Sequence, residues 1–392
     1  MRTMKLSFKN IFLGVVFMCF SATVASQSRV AISHGPYIQG LTEDEVTIVW
    51  TTDKDAVSWV ELAPDDGTHF YNEERDRIYA VEYGFKKIDS VHFVKVTDLK
   101  PNTTYRYRIY SQEVVNNFPY NVTYGRVAAS DVYNRAPLKF TTSNPDKENV
   151  SVLVLNDIHG RNDLMESLLK GADWDNTDLV IFNGDMATDI RGQKRLFDDF
   201  VDKAISIFAK ETPFYYARGN HETRGNYAIT FPKYFPPTGQ LYYTFRQGPV
   251  YFVVLDCGED KPDTDIEYNG AVAFDDYRTE QALWLEEVVK TDDFKNAPFR
   301  VVVTHIPPAD GWHGEKEILE KFVPILNNAD IDVMLTGHLH RHIYREANNK
   351  VKFPVLVNSN EEMIKLDANY SGINLSILNT EGKEIKSFNF KK

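Results

Sequence analysis

The amino-acid sequence predicts two domains, an all-β sandwich followed by an α/β domain. Three observations carry that expectation. The chain has 392 residues, too many for one ordinary core and comfortable for two. Up to about residue 142, apolar and polar residues alternate as on half-buried strands. Beyond residue 149, apolar runs stop abruptly in polar clusters and helix-like segments lie between them, the pattern of buried strands alternating with helices.

The first residues read as a secretory signal spanning 1–26. Arg2, Lys5 and Lys9 precede a short apolar run, Ile11 to Phe20, and small residues follow to Ser26. The run is too short to span a bilayer as a mature helix, so the expectation is an exported protein, periplasmic or secreted, with no membrane span once processed. Loss of those three cations takes the net charge from -12 to about -15. Such a chain lacks the basic footprint of a nucleic-acid binder, and no nucleic-acid partner is expected beyond a nucleotide as substrate. Cys19 leaves with the signal, so Cys257 stands alone and no internal disulfide forms. Its place just after the apolar run Val250 to Leu255 predicts a buried thiol.

Residues 30–142 form the expected sandwich. Val46, Ile48 and Trp50 alternate with Thr47, Val49 and Thr51; Ser58 to Leu62 and Val91 to Val96 are further strand candidates. Pro101 and Asn102 mark a turn, after which Tyr105, Tyr107 and Ile109 alternate with Arg106 and Arg108. This stretch resembles the corner of a fibronectin type III sandwich, where a Tyr ties the corner to the backbone. Leu138 to Thr142 is the expected closing strand, and the polar stretch Ser143 to Asn149 is the linker.

Residues 150–392 form the second domain. Five apolar runs end in polar clusters: Val150 to Leu155 before Asp157 and His159, Leu179 to Phe182 before Asp185, Phe214 to Tyr216 before Asn220, Phe299 to Val303 before His305, and Ile331 to Leu335 before His338 and His340. Helical spacing appears over Asp163 to Ala172, Arg195 to Lys210, Thr279 to Thr291 and Glu315 to Asn327. Ligands of α/β domains bind beyond the carboxyl ends of the strands, where all five clusters sit. Asp157 and Asp185 also read as helix N-caps.

Asp157, His159, Asp185, Asn220, His305, His338 and His340 are oxygen and nitrogen donors without a thiolate among them. That set suits Fe, Mn or Zn. Seven ligands are too many for one catalytic ion and suit two ions sharing a carboxylate, which together clamp the attacking and leaving oxygens of a displacement. Any one of these histidines alone would read as structural.

The order Asp157-x-His159, Gly184-Asp185, Gly219-Asn-His-Glu222, His305 and Gly337-His-Leu-His340 resembles the calcineurin-like metallophosphoesterases. With the sandwich in front, the layout is most similar to purple acid phosphatases. The resemblance implies a two-sheet α/β/β/α domain and phosphate-ester hydrolysis by direct attack of a metal-bound hydroxide. It assigns Asp157, His159, Asp185 and His340 to one ion and Asp185, Asn220, His305 and His338 to the other, with Asp185 bridging. His221 would be the catalytic residue that stabilises the transition state or protonates the leaving oxygen, and Glu222 would support the ligands. Purple acid phosphatases carry an iron-binding Tyr three residues after the Gly-Asp aspartate. Thr188 stands there, so no tyrosinate–iron colour is expected.

Arg191 and His313 are the candidate substrate-binding residues, with Arg161, Arg224 and Trp312 as further neighbours of the motifs. The expected activity is hydrolysis of small phosphate monoesters. The alternatives are a phosphodiesterase acting on nucleotides or lipid head groups, and a non-catalytic surface binding protein whose metal site is only structural.

Overall fold

The computed structural model describes residues 29–131, 135–144, 146–235 and 239–391. The expected signal at 1–26, Cys19 included, lies outside them. Among the described residues no helix is long and apolar enough to cross a membrane.

The N-terminal domain is β-rich. Its spine is one 19-residue strand, Val46–Pro64. The first half pairs with Ile32–Gln39 and Ile88–Val96, and the second half with Thr104–Phe118. Ser58 to Leu62, expected as a further strand, is part of this same strand. The chain bends before it, with a register shift between Thr51 and Ala56, and Lys54 donates across to Glu113 at 2.7 Å. Every other strand of this domain's seven-stranded sheet pairs with Val46–Pro64 or with Thr104–Phe118. Leu138–Thr141 closes the domain against Thr104–Phe118, as expected. Trp50, Val60, Val94, Ile109 and Phe140 fill the core. The Tyr105 hydroxyl accepts from the Lys100 backbone N–H at 3.0 Å, the tie expected at the corner.

The second domain contains two six-stranded sheets. One runs in the order Phe214–Ala217, Leu179–Asn183, Val150–Leu155, Met363–Asn369, Gly372–Leu378, Glu384–Lys391. The other runs Tyr243–Gln247, Val250–Val254, Phe299–Val303, Val333–Thr336, Val355–Val357, Ile343–Arg345. Their inner faces enclose one core containing Val152, Ile181, Phe252, Val301, Leu335 and Leu375. Helices cover the outer faces, through Met165, Leu169 and Ala204 on the first sheet and Leu285, Ile318 and Val323 on the second. The layering is therefore α/β/β/α. The run read as one helix from Arg195 to Lys210 contains a π-helical turn, Phe197–Val201, that buries Phe197, Phe200 and Val201 together.

The two domains share buried contacts. The Tyr37 hydroxyl donates to the Tyr234 carbonyl at 2.8 Å, and the Tyr107 hydroxyl to the Lys210 carbonyl at 2.6 Å. Tyr37, Val49 and Val91 join the core beneath the first sheet's helices, so the N-terminal domain braces the layer that supports half of the site.

Candidate metal centre

Three strands of the first sheet, Val150–Leu155, Leu179–Asn183 and Phe214–Ala217, are parallel. So are Val250–Val254, Phe299–Val303, Val333–Thr336 and Val355–Val357 of the second. Parallel strands end on one side, so every donor that follows such a strand is delivered to one edge of the two sheets. Backbone hydrogen bonds fasten the clusters together: Asp157 N–H donates to the Gly184 carbonyl, His159 N–H to that of Asp185, and Gly337 N–H to that of His305, each at 2.9 Å.

The loops are held in demanding conformations. Asp157, His159, Asp185, His338 and His340 all have positive φ, between 50° and 70°. Such backbone costs about 1–3 kcal/mol per residue and persists where the surroundings over-determine it, which is characteristic of functional sites. The positive φ also explains why neither Asp157 nor Asp185 caps a helix as the sequence suggested. Arg161 stands at the start of the helix Asn162–Leu169 instead.

All seven expected ligands converge. His340 Nε2 lies 3.1 Å from Asp157 Oδ1 and 3.3 Å from His159 Nε2. Asp185 Oδ2 lies 3.1 Å from His305 Nε2 and 3.9 Å from His159 Nε2, so one oxygen faces both groups. Asn220 Oδ1 is 3.1 Å from His338 Nδ1. His221 Nε2 is 3.9 Å from Asp185 Oδ2, at the cluster's edge. Its Nδ1 donates to the Thr188 carbonyl at 2.8 Å.

The donor chemistry fits cations. Asp157 Oδ2 accepts from the His338 N–H and the Asn156 amide, whereas the buried Asp157 Oδ1 has no hydrogen-bond partner. His305 Nδ1 donates to the Asn183 carbonyl at 2.7 Å, which turns the buried Nε2 toward the Asp185 and Asp157 carboxylates. A buried polar atom without a hydrogen-bond partner is costly, and Asp157 Oδ1 points into this cluster. Burial pushes the His159 and His338 imidazoles down to about 4, so both offer a free lone pair at neutral pH. Burial also disfavours charge on His305, but Asp185 and Asp157 overrule it and raise the group to about 10. Without metal, a proton on His305 supplies positive charge that bound cations would replace.

Glu222 supports the ligands as expected. Its fully buried carboxylate accepts from the backbone N–H of Asp185 at 2.9 Å, and from those of Ala187 and Gly219 at 3.0 Å. Burial, and next the charge on Asp185, raise its pKa. In Glu222→Gln the amide nitrogen must face one of these donors. Metal affinity is expected to fall about 10–100-fold, read by chelator competition.

The two candidate substrate residues have partners of their own. Arg191 is 77% exposed and pairs with Asp189 at 2.8 Å. His313 Nε2 lies 2.7 Å from Asp275 Oδ1, in a group with Glu317 whose carboxylates are already paired with Arg278 and Lys321. Arg161 is committed to the carbonyls of Asp157, Ile158 and Asn360. Arg224 does reach the cluster, with Nη1 3.1 Å from His221 Nε2. Its partners Glu259 and Asp260 were missed, although they follow the strand Val250–Val254 as the other site residues follow theirs.

Comparisons with known proteins agree with this geometry. Residues 150–342 match the calcineurin-like phosphoesterase family, and residues 36–134 match the purple acid phosphatase N-terminal domain. Purple acid phosphatase 22 of Arabidopsis thaliana is 25% identical over 355 residues, covering 86% of this chain and 71% of that protein. Probable purple acid phosphatase 20 of the same plant is 26% identical over 295 residues, covering 68% of this chain and 59% of its own length. Among solved structures, a purple acid phosphatase from yellow lupin (Lupinus luteus) seeds superposes with a TM-score of 0.64 at 17% identity, over 91% of this chain and 74% of that one. PhoD superposes with a TM-score of 0.58 at 14% identity, over 91% of this chain and 88% of its own. At such identities the structural likeness speaks for the fold, and the sequence matches speak for the lineage. Residues 150–342 thus form a calcineurin-like metallophosphoesterase domain, preceded by a purple acid phosphatase N-terminal domain.

Proposed function

We propose that this chain hydrolyses small phosphate monoesters with two metal ions, Fe, Mn or Zn. Asp157, His159, Asp185 and His340 would hold one ion, and Asp185, Asn220, His305 and His338 the other. The observation that carries the reading is Asp185 Oδ2, a buried carboxylate oxygen facing two sets of donors at once. When bound, such a pair acts as a Lewis acid and makes a water-derived nucleophile available at neutral pH. The relatives' names, purple acid phosphatases, support a monoesterase.

The protein's own groups orient the reaction. His221 Nδ1–H is committed to the Thr188 carbonyl, so Nε2, which also meets Arg224 Nη1, is the nitrogen turned to the reacting centre to stabilise the transition state or protonate the leaving oxygen. Thr188 contributes that carbonyl and offers no phenolate to iron. The buried loops hold the donors in place before substrate arrives, which is how positioning lowers a barrier.

The same reading extends to the rest of the chain. Residues 1–26 would direct export to the periplasm or the exterior. Residues 30–142 would form a fibronectin type III-like sandwich, supported by the Tyr105 tie, and residues 150–392 the catalytic domain.

The test compares an aromatic phosphate monoester with the matching diester, using protein stripped of metal and reloaded separately with Mn, Zn and Fe. Metal-dependent turnover faster on the monoester is expected. A preference for the diester overturns the monoester assignment, and a folded protein inactive with every metal overturns the hydrolase assignment.

A further inference from the structure

We infer that Arg224 grips a non-bridging oxygen of the substrate's phosphoryl group and so favours monoester dianions over diesters, an inference that rests on the hydrolase reading above. The guanidinium is held from one side. Its Nε donates to Glu259 Oε2 at 3.0 Å and its Nη2 to Glu259 Oε1 at 2.9 Å, a two-pronged contact along one edge. Nη2 also donates to Asp260 Oδ1 at 3.2 Å. The remaining nitrogen, Nη1, lies 3.1 Å from His221 Nε2, which is itself 3.9 Å from Asp185 Oδ2.

The clamp is built, not incidental. Glu259 is fully buried, and it also accepts from the Asp260 N–H, the Thr223 hydroxyl and the Tyr268 hydroxyl. The backbone is pinned too: the Arg224 carbonyl accepts from the Ile190 N–H at 2.8 Å. An added Cβ at the next residue, Gly225, would meet the Ile190 carbonyl oxygen at 2.5 Å. A surface ion pair has no need of a buried carboxylate with five donors. This one fixes the direction of a single N–H₂ group toward the reacting centre.

The chemistry follows from counting oxygens. A monoester dianion has three non-bridging oxygens and a diester anion has two. If the two ions of the proposed centre were each to hold one of these oxygens, only the monoester would keep a further anionic oxygen for Nη1. A guanidinium bonded this way adds charge that an ammonium reproduces without its planar geometry.

Arg224→Ala alone leaves Glu259 buried and unpaired, which threatens folding. The test therefore also uses Arg224→Ala/Glu259→Gln and Arg224→Lys, all on the metal-loaded full chain. Calorimetry with inorganic phosphate reads binding directly, and kcat/KM is measured for the monoester and the matching diester. Metal content and melting confirm an intact site. The double variant is expected to bind phosphate and turn over monoester about 10–100-fold less well, as for loss of one charged hydrogen bond. Its diester kcat/KM is expected to fall less, so that the monoester-to-diester ratio drops about tenfold. Arg224→Lys is expected to recover only part of the phosphate affinity. Unchanged phosphate affinity, or equal losses on both esters, overturns the inference and leaves Arg224 as a support for His221. Wild type that binds phosphate through Arg224 yet hydrolyses neither ester overturns the hydrolase reading and not this one.

Discussion

Asp185→Asn is expected to lower metal-dependent kcat/KM by at least ~10³-fold while the chain stays folded. The two oxygens of Asp185 have different duties. Oδ1 accepts the His221 backbone N–H at 2.9 Å, and Oδ2 faces His305 and His159. An Asn side chain has one oxygen and one NH₂ group. Whichever way it turns, either a donor meets the His221 N–H or a donor points at the cations. The amide also lacks the charge that two cations share. Elemental analysis is expected to find fewer than two ions per chain alongside the lost turnover. A variant that keeps two ions and turns over within about tenfold of wild type removes Asp185 from the bridging role.

Gly219→Ala is the second large effect. A Cβ at this position would lie 2.2 Å from Asp185 Oδ1 and 2.5 Å from the Asp185 backbone nitrogen. Neither atom is free to retreat, because that nitrogen donates to Glu222 and Oδ1 accepts the His221 N–H. Overpacking of this kind typically costs about 1–3 kcal/mol. The displacement falls on the carboxylate that both donor sets share. Denaturant unfolding is expected to show the loss of stability, and metal content is expected to fall with it. Gly192→Ala is the control, since an added Cβ there meets nothing within 4 Å. Equal behaviour of the two variants contradicts the close packing of Gly219 against Asp185.

The donor set was legible because each donor directly follows an apolar run, and the fold turns that linear adjacency into a shared edge of parallel strands. Asp157, Asp185, Asn220, His305, His338 and His340 owe their meeting to strand direction, which a run of buried residues already implies. The same rule applied to Val250–Val254 points to Glu259 and Asp260, which follow that strand. Arg191 and His313 show the opposite limit. Both lie close to motifs in sequence, yet their partners Asp189 and Asp275 hold them in separate ion pairs. Position along the chain says little about where a long side chain points.

Strand order was less legible than strand existence. Met363–Asn369 pairs antiparallel with Val150–Leu155, so the end of the domain completes the sheet that its first strand begins. No local pattern in either segment specifies that partner. The single strand Val46–Pro64 reads in sequence as two candidates, and Asp53 and Asp55 are exposed polar residues at its bend. Bends that change pairing partners look like turns until the ladder is seen.

The decisive measurement is anomalous diffraction from crystals of the chain stripped and reloaded with Mn or Zn. Two peaks about 3.5–4 Å apart are expected on either side of Asp185. One should lie among Asp157, His159 and His340, and the other among Asn220, His305 and His338. A single peak, or metal only at Asp275, His313 and Glu317, would contradict a two-ion centre bridged by Asp185.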